Sequence, residues 1–292
     1  MDSGLAAYET ALRAHFTPGK ESAAAARGAR ASGRLRAGMG GVSRAPAISL
    51  DLDHWWPAAS PFEVIVGAIL VQNTAWSNAA QAIAALRGAK RLSLAGIREL
   101  SEAELGELIR SSGFWRQKAR RLRGFVTWLD AAHGGRLDRL FAQPTAAARE
   151  QLLALEGIGE ETADTILLFA GDHARFVMDA YTRRVLVRHQ LPAERAWVEA
   201  AVPSVHGRNA ARHYRHLHAL LVETAKRYCR KRAPDCGACP LAPLLPAGAY
   251  PPQAKRHAQP RLGAMGPPSR GEHKRDARPR RANPRARPRA HQ

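Results

Sequence analysis

Cysteine is nearly missing from this chain. There are three in 292 residues, all between 229 and 239, too few and too crowded for a disulfide framework. Long apolar runs are missing as well: the longest, Val64 to Val71, is too short to span a bilayer and suits a buried helix. The first residues carry Asp2, Glu9 and Arg13 among apolar positions and do not read as a secretory signal. A cytoplasmic protein with no membrane partner is therefore expected. No segment alternates as a strand would, and nothing recurs at a fixed period, which argues against β architectures and repeat arrays. Acidic residues are scarce too, 25 against 45 Lys and Arg, for a formal net charge of +20.

That charge is unevenly spread. Gly19 to Pro46 holds six Lys/Arg and one acidic residue, and Gln253 to the C-terminus holds twelve and two. A chain this basic has acidic polymers, nucleic acid above all, as its natural partners; the competing reading is a solvated tail that aids solubility. Both segments are rich in Ala, Gly, Arg or Pro and poor in large apolar residues, so neither has the means to fold alone. The expected organisation is an N-terminal helix (1–18), a disordered insertion (19–46), an ordered domain (47–246) and a disordered basic tail (247–292).

Within the ordered part the apolar spacing is helical nearly throughout. Leu5 to Phe16 is amphipathic. Val64, Ala68, Ile69 and Val71 mark one helix, Ala79, Ile83 and Leu86 a second, and Leu105, Leu108 and Ile109 a third. Further stripes run through Ala119, Leu122, Phe125, Val126 and Leu129, through Ala163, Ile166, Leu167 and Ala170, and through His218, Leu221, Val222 and Ala225. Gly113, Gly134–Gly135, Gly157, Gly159 and Gly171 break them. An all-α fold is predicted.

The most informative stretch is residues 155–166, Leu-Glu-Gly-Ile-Gly-Glu-Glu-Thr-Ala-Asp-Thr-Ile. Gly157 and Gly159 end one helical pattern and a second begins at once. Ile158 lies between them as an apolar plug, and Thr162 and Ala163 open the next helix without bulk. Such a hairpin turns backbone N–H groups outward at a helix N-terminus, where a DNA phosphate can bind. A Gly-x-Gly pair alone is weak evidence, because glycine also simply ends helices. Twenty residues past Gly159 stands Asp179, in Phe-Val-Met-Asp-Ala-Tyr-Thr-Arg-Arg. A phosphate grip followed by a lone carboxylate points to chemistry on a nucleotide.

These features, in this order, resemble the endonuclease III superfamily of helix-hairpin-helix DNA glycosylases, over roughly residues 51–245. The wording Trp-Trp-Pro-Ala, Pro-Phe-Glu-Val-Ile-Val-Gly-Ala-Ile-Leu and Gly-Ile-Gly-Glu-Glu-Thr-Ala-Asp is most similar to the branch that includes the 3-methyladenine glycosylases. The resemblance implies two α-helical lobes with double-stranded DNA between them, Asp179 as the catalytic carboxylate, and an N-terminal helix joined directly to the Trp-Trp-Pro segment, so that residues 19–46 look like an insertion. It implies that Gln72 fills the space left by an extruded base, with Asn73 beside it, although both could simply cap their helix. Gly113 to Lys118 resembles the family's loop before a helix, where Lys118 would meet a phosphate. Trp76, with Trp55 and Trp56, would wall a base pocket or pack in the core.

Two positions depart from the family pattern. Bifunctional members carry a Lys where this chain has Glu161; a carboxylate cannot form a Schiff base, so the resemblance shifts to monofunctional enzymes, with Glu161 either part of the base pocket or a dipole-favoured residue of a helix start. Cys229, Cys236 and Cys239 have the spacing of a [4Fe–4S] ligand set, but Leu245 stands where the fourth Cys belongs, and iron binding is left open. His213, His216 and His218 lie nearby in sequence and read as packing or surface. The expected function is a monomeric base-excision glycosylase that hydrolyses the N-glycosidic bond of a damaged, alkylated base in duplex DNA. The alternatives are an endonuclease III-like glycosylase/AP lyase acting on oxidised pyrimidines or abasic sites, and a non-catalytic DNA-binding relative.

Overall fold

The computed structural model describes residues 4–17, 48–201 and 209–247. The expected insertion (19–46) lies outside the described residues, as does the expected tail apart from Ala247. Among the described residues there is no strand, which agrees with the predicted all-α class, and no helix is long and apolar enough to cross a membrane.

The helices are α1 (Gly4–Phe16), α2 (Pro61–Leu70), α3 (Trp76–Gly88), α4 (Leu94–Glu99), α5 (Glu102–Leu108), α6 (Trp115–His133), α7 (Leu137–Phe141), α8 (Thr145–Leu153), α9 (Glu160–Thr165), α10 (Ala180–Arg188), α11 (Arg195–Ala200) and α12 (Asn209–Arg227). A wider π turn, Ile166–Ala170, continues α9 directly. Two cores divide the chain. The first is continuous in sequence and gathers Phe62 to Leu167 from α2 through α9. The second joins Leu5, Tyr8, Leu12 and Phe16 of α1 to Leu168, Phe176–Met178, α10 and α12. The boundary falls inside the π turn: Leu167 packs in one core and Leu168 in the other. Ile48 and Leu50 donate backbone hydrogen bonds to His15 and Phe16, so the chain re-enters the fold beside the point where it left it.

Helix α2 is buried on every side from Phe62 to Leu70. Its start is satisfied locally. Ser60 Oγ accepts from Glu63 N, Pro61 occupies the first turn where no N–H is needed, and Glu63 Oε2 accepts from Ala59 N. Its end has no water to turn to, and orphan carbonyls at a buried terminus must find donors. Lys118 of α6 supplies them. It is 1% exposed, and its Nζ donates to Leu70 O at 2.8 Å and Ser112 O at 2.7 Å. The cation also meets the negative end of the helix dipole. Desolvation, with Arg121 adding repulsion, lowers its pKa to about 8. The expectation of a phosphate contact at Lys118 is thus corrected: its ammonium is interior and two of its three donors are committed to carbonyls.

Lys118→Met keeps the stem's apolar packing and strips both carbonyls of their donor. It is expected to lower unfolding free energy by about 2 kcal/mol, read as a shifted urea midpoint at unchanged slope. An unshifted midpoint would mean that the end of α2 does not depend on this side chain.

Candidate functional site

The glycine hairpin joins α8 to α9. Gly157 has φ +76°, a left-handed conformation natural to glycine, and a Cβ placed there would overlap the Arg121 side chain. Ile158 is 4% exposed and packs in the first core, the plug that its place between the glycines suggested. Gly159 differs from Gly157. Its φ of −89° suits any residue, and nothing lies within 4 Å of where its Cβ would be. It opens α9 without a side-chain cap, so the N–H groups of the first turn are left for an outside acceptor. Glu160 on that turn is drawn aside by Arg149, at 3.1 Å.

Gln72, just past α2, is fully engaged with this hairpin. Its Nε2 donates to Gly157 O and to Thr162 Oγ1, both at 2.9 Å, while its Oε1 accepts from Arg121 Nη1 at 2.6 Å. The side chain expected to fill a gap in the duplex is therefore a staple between α2, α6 and the hairpin in this structure. Asn73 beside it is exposed in a left-handed conformation (φ 54°), which Asn tolerates well.

The side chain that does project outward is one that the sequence reading passed over. Phe114 is 64% exposed at φ 47°, between Gly113 and the first turn of α6. It follows Ser112, whose carbonyl shares the Lys118 ammonium with Leu70, so the loop is tied to the same end of α2 that carries Gln72. The signal that could have found it is an aromatic residue directly after a helix-breaking glycine.

Asp179 is the N-cap of α10. Its Oδ1 accepts from Thr182 N at 2.7 Å, which fixes the carboxylate against the helix start. No protein donor among the described residues is found for Oδ2. Although 7% exposed, Asp179 makes its charge felt by two neighbours. Partial desolvation, and then the Asp179 carboxylate, raise the pKa of Glu161 above 4.5, with Arg183 opposing. His218 of α12 is 4% exposed; burial holds its pKa below 6.5 while Asp179 pulls it up. Asp179 thus stands near Glu161 from the first core and His218 from the second. Perturbed carboxyls occur at functional sites, where reactions use them, as well as in structural ion-pair networks.

His218 leads to the aromatic side chains. Its ring lies 5.7 Å from Trp55 and 5.8 Å from Phe169. Phe169, turned by the π segment, lies 5.2 Å from Trp56, and Trp56 lies 5.3 Å from Trp76, the first residue of α3. All four are half-buried and join the two cores. Sequence reading flagged the tryptophans and missed Phe169. It also left His218 as one of three histidines near the cysteines. His213 instead pairs with Glu9 and His216 with Asp53, fastening α12 to the N-terminal segments.

The three cysteines and Leu245 do line one cavity, together with Arg188, His189, Tyr228 and Leu241. The donor set does not fit a four-thiolate cluster. Leu245 offers no donor. Burial pushes the Cys239 thiol up to about 12 and raises that of Cys236. Among the described residues no group of His, Cys, Asp or Glu is arranged to hold a metal ion. The loop is held by other means: Arg184 Nε donates to Cys229 O at 2.6 Å, Arg188 Nη1 to Arg230 O at 2.7 Å, and Tyr8 OH to Leu244 O at 2.9 Å.

Comparison with known proteins agrees with this geometry. Residues 66–201 match the family described as HhH-GPD superfamily base excision DNA repair protein. A protein of Methanocaldococcus jannaschii named as a DNA repair glycosylase is 38% identical over 192 residues, 64% of this chain and 86% of that one. Endonuclease III of Thermotoga maritima is 28% identical over 188 residues, 61% and 79% of the two chains. Among solved structures, the H. pylori 3-methyladenine DNA glycosylase bound to 1,N6-ethenoadenine is similar with a TM-score of 0.51 at 26% identity, over 59% of this chain and 88% of that one.

The two hairpin glycines should separate in substitution. Gly157→Ala meets both a left-handed backbone and Arg121, and should lose about 1–2 kcal/mol of stability. Gly159→Ala should leave stability within about 0.5 kcal/mol and weaken duplex binding by about tenfold, since its methyl group enters the open approach. Equal stability losses would refute the distinction. Glu161 yields a pH test. An acid that holds its proton more tightly when folded loses stability as pH rises through its unfolded value. Glu161→Gln should therefore raise Tm well above the ordinary Glu value of 4.5 and match the parent well below it. A gain at the acidic end instead would contradict the repulsion from Asp179.

Proposed function

The chain belongs to the HhH-GPD superfamily of base excision DNA repair proteins, and from that premise we propose that it is a monofunctional glycosylase releasing an alkylated base from duplex DNA. Phosphates of the damaged strand bind the open first turn of α9 at Gly159. The damaged nucleotide leaves the stack, and Phe114, exposed beside the end of α2, wedges into the step it vacates. Gln72 joins it only after releasing the hairpin. The extruded base stacks among Trp55, Trp56, Trp76 and Phe169. Their ring faces attract a base made cationic by alkylation, by about 0.5–2 kcal/mol for each good contact.

Cleavage of the N-glycosidic bond builds positive charge on the sugar. The free oxygen of Asp179 opposes that charge and orients the attacking water, while its other oxygen stays fixed by Thr182 N. A cationic base departs as a neutral molecule, so one carboxylate suffices without a strong acid. Glu161 occupies the place of the Schiff-base amine and supplies no nucleophile for strand cleavage.

The single observation that carries this reading is the half-satisfied Asp179 carboxylate, which perturbs Glu161 on one side and His218 of the aromatic group on the other. The aromatic group supports an alkylated base, whereas the 26% identity with a 3-methyladenine glycosylase and the 28% with an endonuclease III do not separate the two lesion classes. Asn also caps helices well, so Asp179→Asn should fold with nearly unchanged Tm and still bind duplex DNA. Its release of bases from alkylated DNA, followed by mass spectrometry, should fall by a factor of about 10³ or more. Retained release by that variant would sink the role given to Asp179, and a borohydride-trapped adduct of the parent on abasic DNA would sink the monofunctional assignment.

A further inference from the structure

Helix α6 carries five cationic residues between Arg116 and Arg123, and they divide by what they touch. Lys118 is buried at the end of α2, and Arg121 is bound to Gln72. Arg116, Arg120 and Arg123 make no ion pair or side-chain hydrogen bond among the described residues. Several arginines elsewhere on the surface are matched: Arg98 with Asp130, Arg110 with Glu107, Arg136 with Asp138, Arg212 with Asp53 and Arg215 with Asp172. The only acidic residue on α6, Asp130, is the one that Arg98 holds.

The spacing of the unmatched residues puts them on one stripe. Positions 116, 120 and 123, continued by exposed Thr127, recur every three or four residues and span about 16 Å of helix. Like charges at this spacing repel, a cost that isolated folding has no reason to carry. The stripe is also held firmly. The Arg116 guanidinium lies 4.1 Å from the centroid of the Trp115 ring. Trp115 in turn packs so closely on Gly106 that a Cβ there would lie 2.5 Å from the ring. Gly124, beside Arg120 and Arg123, has nothing within 4 Å of its Cβ direction, which leaves room for another backbone to approach. The stripe starts beside Phe114 and is tied to the hairpin through Arg121 and Gln72.

We propose that the stripe of α6 formed by exposed Arg116 and Arg120 and half-buried Arg123 is a second phosphate-binding surface that grips the duplex beside the lesion, apart from the glycine hairpin. A DNA backbone is the polyanion that such a rigid, evenly spaced row of unmatched guanidinium groups fits. The inference rests on the duplex-binding reading above. It adds that the contact is independent of sequence and lesion, so that the ridge sets how firmly the enzyme holds any duplex and leaves chemistry alone.

The test uses the full chain and fluorescence anisotropy on two labelled duplexes, one undamaged and one with a stable abasic analogue, across a salt series. Replacing all three residues (Arg116→Ala, Arg120→Ala, Arg123→Ala) should make the plot of log affinity against log salt shallower by about 2–3 on both duplexes. Tm and the single-turnover rate of base release at saturating enzyme should be unchanged. The triple Lys variant keeps the charges and should retain the parent's slope, which separates a phosphate contact from a packing role. An unchanged slope in the folded Ala variant, or a loss confined to the abasic duplex, overturns the proposal. Failure of the parent itself to bind either duplex would overturn the glycosylase reading along with it.

Discussion

The arrangement hangs on how one buried helix ends. Helix α2 is enclosed on all sides, so its last carbonyls and the chain that leaves them must be satisfied by protein. Lys118 closes the helix end, and Gln72 two residues on carries the chain directly to the hairpin. Both donors depend on α6, which supplies Lys118 itself and the Arg121 that orients Gln72. The position of the glycine hairpin, of the exposed Phe114 and of the first core's contribution to the site is thereby fixed by one set of polar contacts.

The site itself is assembled against its own electrostatics. Glu161 is carried by α9, Asp179 caps α10 and His218 lies on α12, and the Asp179 carboxylate perturbs both of the others. A carboxylate whose neighbour is another carboxyl is costly for a fold and useful to a reaction that develops positive charge. Capping α10 offsets part of that cost at Asp179, because one oxygen earns a backbone hydrogen bond whatever happens at the other.

Much of this was legible in the sequence because the signals are local. Helix stripes such as Ala119, Leu122, Phe125 and Leu129 became buried faces, and Gly157 with Ile158 became a left-handed turn around a plug. What failed to show was whatever depends on distant partners. Lys118 reads as a surface cation until α2 is placed over it. Gln72 reads as free until Arg121 and Gly157 meet it. His218 reads with its sequence neighbours His213 and His216, yet helical rotation sends those two to Glu9 and Asp53 and this one to Asp179. The short helix α10 was invisible as a period, although its cap, Asp179, was the residue singled out.

The second core has a discontinuity in sequence that the first lacks. Its opening helix, α1, lodges among residues that follow position 167, whereas α2 through α9 close on one another without help from either end. During vectorial synthesis the hairpin-bearing half can therefore condense while α1 waits, its apolar face uncovered, until α12 has left the ribosome. The carboxylate proposed for catalysis, Asp179, belongs to that late half, so a chain stalled before α12 would hold the glycine hairpin without the completed core around the residue proposed to act behind it.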